Sequence, residues 1–557
     1  MYNGLGDKST SIHFHGMFQN GTNEMDGASM VTQCPVPPGS TMTYNFTVTQ
    51  SGTYWYHCHT EYCYPDGYRQ ALIIHDPDVY FANQYKEELT LTMSDWYHDL
   101  QEGLSKEFIS VFNPTGAEPI PNAFLLNDTL GSSFPVEPGT TYLIRLVNIG
   151  AFVGQYFYIE DHNFTIVEVD GVYTEPAEAS MLYIAVAQRY AILLTTKNET
   201  DRNYAIVTVA DSSLLDTITP DLQLNNTNWL EYNKNAPHDQ AVVNVSDSTQ
   251  LFPFDDFDLI PHDKEPLFPE PDQQINVTVY MNNLNTGANY AFLNNISFTP
   301  PKVPTLFSVQ SVGDLATDER VYGEFTHSVV LNHLDVVEVV VNNADSGSHP
   351  FHLHGHNFQV ITRAPGYGPH FYDYLNGDPV FYDPSNHSAF PSTPMRRDTI
   401  VLPPQGYLVI RFIADNPGVW IFHCHIDWHL SSGLAMLMIE APTQIQERVH
   451  IPDQHYDVCR AGNVPFQGNA AGNTVNLLDL SGQNKQPGWI PGGFTARGIV
   501  ALVFSVISAV LGIASLVVYG MLDIKRDSKT SPVEQTSSGR EQDGERIVQT
   551  LGQEKGE

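Results

Sequence analysis

A chain of 557 residues exceeds what one hydrophobic core supports and divides into two to four domains. Its formal net charge of −37 and pI near 4.7 exclude the basic footprint of a nucleic-acid binder. The same charge favours the approach of a cationic substrate, and it equally serves the plain solubility of a secreted protein.

The first element is a short strand at His13-Phe14-His15-Gly16. Histidines at i and i+2 of a strand share one face. This motif comes almost at once, with no signal peptide before it, so an upstream segment carrying a signal sequence is expected. A first sheet that starts at this motif would carry an unpaired edge. A second pair, His57-Cys58-His59, follows the aromatic, β-prone run Gly52-Thr53-Tyr54-Trp55-Tyr56. Beyond it, valine, threonine and aromatic residues recur in short runs between glycine and proline turns, the pattern of an all-β protein of several sandwiches. A third motif is His349-Pro350-Phe351-His352-Leu353-His354. The fourth is His423-Cys424-His425-Ile426-Asp427-Trp428-His429. There the alternation puts His423 and His425 on one face and Cys424 on the other, so one strand can serve two metal sites. A single strand histidine is usually a core or surface residue. Four such pairs, two enclosing a cysteine, point to soft thiolate and imidazole ligation as in a blue-copper centre.

Ten sequons begin at Asn20, Asn45, Asn127, Asn163, Asn198, Asn225, Asn244, Asn276, Asn295 and Asn386, a density that favours a glycosylated, extracellular body. Cys34 and Cys459 are candidates for disulfides whose partners the sequence does not set, and Cys58 and Cys63 are either a disulfide or free thiols. The Gly/Asn/Gln/Pro-rich stretch 461–497 reads as a flexible stalk. Residues 498–522 are apolar and uncharged over a length that spans a bilayer, and Lys525-Arg526 with the polar tail 523–557 indicates a cytoplasmic end.

The four histidine motifs resemble those of the multicopper oxidases over nearly the whole chain before the apolar segment. The resemblance implies three cupredoxin-like Greek-key β-sandwich domains, at 1–78 (incomplete), 79–245 and 246–460, followed by the stalk and one transmembrane helix. It implies four copper ions. Cys424, His349 and His429 would hold the type 1 copper, with Leu434 at its non-ligating axial position. His13 and His352 would hold the type 2 copper, and His15, His57, His59, His354, His423 and His425 the type 3 pair. His356 reads as a neighbour of the third motif. Asp26 and Asp427 match positions where the family carries proton-supplying acids, although Asp26 in Met25-Asp26-Gly27 is equally a turn residue.

Outside these motifs the chain is similar to the fungal plasma-membrane ferroxidases. Asn113–Pro121 resembles the segment that carries one iron-binding acid, here Glu118. The stretch around Leu215-Asp216-Thr217-Ile218 resembles a second, and Asp345 matches a third, with Tyr290 in a further similar stretch. The implied activity is oxidation of Fe²⁺ to Fe³⁺ coupled to reduction of O₂ to water, beside an iron permease, on a single-pass anchor with the body outside the cell. A membrane-bound laccase acting on phenols and a non-catalytic copper-binding or permease-scaffold protein are the alternatives.

Overall fold

Runs such as Thr141–Asn148 and Val336–Asn343 are apolar on both faces and almost wholly buried, so they form central rather than edge strands. They organise the computed structural model of the chain, which describes residues 1–60, 63–198, 201–238, 251–367 and 378–521. The sequon at Asn244 and the tail expected to be cytoplasmic lie outside the described residues. Eight of the other sequon asparagines are exposed, and Asn225 is half-buried.

An antiparallel three-stranded sheet joins His13–His15, Gly52–His57 and Arg69–Ile74, with His13 directly opposite His57. Residues 87–231 form a six-stranded and a five-stranded sheet that share one core, with Ile144 and Ile192 on one side and Phe157 and Ile206 on the other. Residues 273–440 repeat this two-sheet arrangement, with Val339 and Ile410 meeting Phe351 and Phe422. These are antiparallel-rich β-sandwiches. In the last sandwich the strands His349–Leu353 and Gly418–Cys424 pair so that His352 faces His423 and Phe351 faces Cys424. Alternation then delivers His352 and His423 to one face of that sheet and Cys424 to the other.

The short helix Asp453–Ala461 returns to the first sheet's loops, where Cys459 bonds Cys34 across 5.3 Å between Cα atoms. Cys58 bonds Cys63, leaving Cys424 as the buried free thiol. Residues 461–490 correct the expected stalk, because they pack on the body as part of its compact unit. Their polar side chains find backbone partners there: Asn469 is fully buried and bonds the carbonyls of Leu477 and Asp479, and Gln486 accepts from the Ser297 N–H at 2.8 Å. Composition signalled a linker, but these amides substitute for a regular ladder. The apolar helix runs from Ala496 to Met521 and is long and apolar enough to cross a membrane, with its apolar side chains exposed all round.

Glu24, only 5% exposed, is held up at about 7 by burial, against its ordinary value of 4.5. A carboxyl raised in the folded state keeps its proton where the unfolded chain has lost it, so stability falls as pH rises from about 4.5 through about 7. Glu24→Gln should therefore stabilise the chain at pH 8 by on the order of 2 kcal/mol. Its gain should vanish at pH 4, and denaturant melts at the two pH values check the sign.

Candidate metal centres

The Gly418–Cys424 strand ends in a one-turn helix, Asp427–Ser431, which swings His429 back over the Cys424 sulfur. The Sγ lies 3.5 Å from His429 Nδ1 and 3.8 Å from His349 Nδ1, and the two imidazole nitrogens are 3.0 Å apart. Three donors thus converge in one buried triangle. Burial pushes the Cys424 thiol up, but His429 and His349 outweigh it and bring it to about 7. Burial pushes His429 down, yet the Cys424 sulfur and Glu118 together raise it to about 10. Leu434 is fully buried beside this triangle, its carbonyl accepting from the Cys424 N–H and its N–H donating to the His429 carbonyl. One thiolate, two imidazoles and an apolar neighbour fit a soft, trigonal metal site, the donor set of blue copper.

Both histidines offer Nδ1 to the interior and turn Nε2 outward onto a carboxylate. His429 Nε2 lies 2.8 Å from Glu118 Oε1, and His349 Nε2 lies 3.2 Å from Asp345 Oδ2. The Glu118 and Asp345 side chains are 18% and 24% exposed, so each reaches from one of these imidazoles to solvent. Asp216 is exposed nearby. Partial desolvation, then repulsion from Glu118 and Asp345, raises its carboxyl, which places the three acids within one electrostatic neighbourhood. Tyr290 is half-buried on the strand Asn289–Leu293, whose Asn289 packs on the Gly116 backbone two residues before Glu118.

The remaining motif histidines converge between the first sheet and the last sandwich. His13, His352 and His354 bring donor atoms within 4.8 Å of one another, as do His13, His15 and His57, and also His59, His354 and His423. His425 joins them, its ring 5.0 Å from His15 and 5.2 Å from His57. The Nδ1 atoms of His13, His57, His352 and His423 meet backbone carbonyls at 2.8–2.9 Å. That leaves Nε2 of His13, His57 and His352 buried without a protein partner, alongside Nε2 of His59 and both nitrogens of His425. Burial first, then neighbouring histidines, holds His15, His57, His59, His354 and His425 well below their ordinary range and His423 at about 3. Neutral imidazoles with orphaned lone pairs facing one point are what a metal cluster requires.

Asp26 is not simply a turn residue. It is buried between two rings of the histidine cluster, Oδ2 at 2.9 Å from His354 Nδ1 and Oδ1 at 3.2 Å from His13 Nδ1. Asp427 is 8% exposed and lines a cavity of about 460 Å³ with His57, His59, His423 and His425, so it stands where the cluster meets solvent. His356 turns away to Glu440 at 3.0 Å.

Sequence reasoning missed Asp398 and Arg189. Asp398 Oδ1 sits 3.3 Å from His15 Nε2, and its carbonyl meets His352 Nδ1. Arg189 clasps both Asp398 oxygens at 2.7 Å, with every partner buried. Gly16 has φ +88°, and a Cβ there would lie 2.6 Å from the Arg189 guanidinium and 2.9 Å from the Asp398 carboxylate. A glycine after His15 was therefore the one available signal. The Arg–Asp pairing itself spans 209 residues and leaves no local spacing to read.

The sequence matches three family models described as multicopper oxidase, over residues 1–79, 87–235 and 298–444. It is 53% identical to the iron transport multicopper oxidase fetC of Epichloe festucae, over 93% of this chain and 82% of that protein. It is 52% identical to the iron transport multicopper oxidase FET3 of Saccharomyces cerevisiae, over 94% of this chain and 81% of the relative. The crystal structure of Fet3p, described as a multicopper oxidase that functions in iron import, superposes with a TM-score of 0.83 at 50% identity, covering 88% of this chain and 91% of Fet3p. A laccase from Botrytis aclada superposes with a TM-score of 0.67 at 27% identity, covering 83% of each chain.

Proposed function

Because the chain belongs to the multicopper oxidase family, we propose that it is a ferroxidase, oxidising four Fe²⁺ to Fe³⁺ while one O₂ and four protons become two waters. The carrying observation is the pair of carboxylates on the outer nitrogens of the two imidazoles beside Cys424. Oxygen donors suit ferrous ion and suit ferric ion better, so Glu118, Asp345 and Asp216 would bind the substrate and favour its oxidation. The hydrogen bonds from His429 to Glu118 and from His349 to Asp345 also give the departing electron a short route from the rim to the ligand imidazoles. Tyr290 completes this rim.

Four copper ions would supply the one-electron steps and the oxygen chemistry when bound, one held by Cys424, His349 and His429, one by His13 and His352, and a pair by His15, His57, His59, His354, His423 and His425. Leu434 would keep one side of the thiolate site apolar, which would favour a high potential of the bound metal. Cys424 is bonded in sequence to His423 and His425, so the same strand links donor and acceptor sites covalently. Asp26 and Asp427 would hold protons at the cluster; the position of one between His13 and His354 and of the other at the cavity supports that role.

In this reading the body lies outside the plasma membrane, the apolar helix is a single-pass anchor, and the tail after it is cytoplasmic. An iron permease in the same membrane would take up the ferric product. The iron-transport names of the relatives and the helix Ala496–Met521 support this arrangement.

The test is steady-state turnover of the copper-loaded chain on Fe²⁺ and on a bulky phenol. A ferroxidase should show kcat/KM for Fe²⁺ exceeding that for the phenol by about 10²-fold or more. A larger value for the phenol would establish a laccase, and turnover on neither would leave the scaffold reading.

A further inference from the structure

The docked segment after the Asp453–Ala461 helix has no task in the chemistry above, yet its end is tied to the element that carries the acid rim. Leu284 and Trp489 form an antiparallel bridge, and the Asn285 N–H donates to the Gly488 carbonyl at 2.8 Å. The Trp489 indole stacks on buried Phe292 with centroids 5.0 Å apart, and the Gln486 amide accepts from the Ser297 N–H at 2.8 Å. The bridge and the Asn285 bond grip the turn between the strands Gln273–Asn283 and Asn289–Leu293, while the Trp489 stack and the Gln486 bond hold the second strand and the residues just past it.

The loop that bears Glu118 lies on the same turn. Asn283 Nδ2 donates to the Pro114 carbonyl at 2.8 Å and to the Gly287 carbonyl at 3.2 Å, and Asn289 Nδ2 donates to Asn283 Oδ1 at 3.1 Å. Gly116, at φ +76°, sits so close to Asn289 that a Cβ would meet that side chain at 2.8 Å, and Gly287 is equally close to Val111. Within the loop, the Asn113 side chain accepts from the Ala117 N–H, which presents Glu118 to His429. Residues 111–118 form no regular ladder of their own; besides their own turn bonds and the Phe108 carbonyl at the preceding helix end, they rest on the turn 283–289, and residues 482–490 support that turn.

We propose that residues 482–490 are a strap whose Trp489 and Gln486 are positioning residues for the iron rim, acting through the 283–289 turn on Glu118. The inference rests on the ferroxidase reading of that rim. It also accounts for the packing of a glycine- and asparagine-rich segment directly before the apolar helix, where a free linker would need none.

The experiment compares the full-length, copper-loaded chain with its Trp489→Ala, Trp489→Phe, Gln486→Ala and Glu118→Ala variants. Three quantities are read: KM for Fe²⁺, kcat for a bulky phenol, and amide hydrogen exchange over residues 111–118. A misplacement of about 1 Å is enough to cost rate or affinity by an order of magnitude, so Trp489→Ala should raise KM for Fe²⁺ about five- to tenfold and speed exchange in the loop. Phenol kcat should stay within about twofold, Trp489→Phe should restore both iron readouts by keeping the stack on Phe292, and Gln486→Ala should show a weaker form of the Trp489→Ala change. Unchanged KM and exchange in Trp489→Ala and Gln486→Ala would overturn the strap. So would a parallel fall on both substrates, which would mark a general stabilising role. If Glu118→Ala itself leaves the KM for Fe²⁺ unchanged, the iron-rim reading fails, and the exchange data alone then decide whether the strap holds the loop.

Discussion

Replacing Glu118 and Asp345 together by alanine should cut kcat/KM for Fe²⁺ by about 10²-fold or more while leaving turnover on a bulky phenol intact or raised. The two carboxylates do two things at once. In the proposed reading they offer oxygen ligands to the ferrous ion at the edge of the thiolate site, and their oxygens meet the outer Nε2 atoms of His429 and His349 at 2.8 and 3.2 Å. Loss of the first function removes binding. Loss of the second frees two imidazoles to rotate and removes negative charge from beside the metal's ligands, which raises the site potential. A higher potential helps a phenol give up its electron, whereas iron loses its binding acids, so the two substrates should move apart. The measurement is kcat and KM on both substrates with the potential of the site followed in parallel. Full ferrous activity in the double variant would sink the assignment of iron to this rim.

Cys424→Ser should remove turnover on every reductant, by at least about 10³-fold, and with it the strong visible absorption of thiolate ligation. The sulfur is the one soft anionic donor in the triangle with His349 and His429. Serine nearly preserves its volume and leaves a hydroxyl that stays protonated near neutral pH, so a fully buried cavity keeps its shape while its charge is lost. The histidine cluster draws no side-chain donor from Cys424, and it should still load metal in the variant. Metal analysis should therefore fall by one ion per chain and no more. A variant that keeps substantial turnover, or loses all its metal, would contradict two separate sites on one strand.

Much of this site was legible along the chain because β-strands translate sequence into faces. Histidines two apart share a side, and a cysteine between them takes the other, so the double use of His423-Cys424-His425 follows from a period of two alone. Glu118 was legible only through resemblance, since an acid in an irregular loop carries no period. Along the chain Asp26 reads equally as a turn residue and as a functional acid, and only the fold shows its carboxylate buried between His13 and His354. Residues 461–490 misled, because their composition matches a linker while their order comes from side-chain bonds to distant backbone.

What the sequence by itself determined is the set of histidine and cysteine motifs, the β architecture and the apolar helix, all of which depend on local spacing and composition. Only the tertiary structure decided which groups meet: Cys34 with Cys459, Arg189 with Asp398 behind His15, and the C-terminal strap against the turn that supports Glu118. Those contacts join residues hundreds of positions apart. Their energy lies in burial and in charge or hydrogen-bond pairing across elements, which no local pattern encodes.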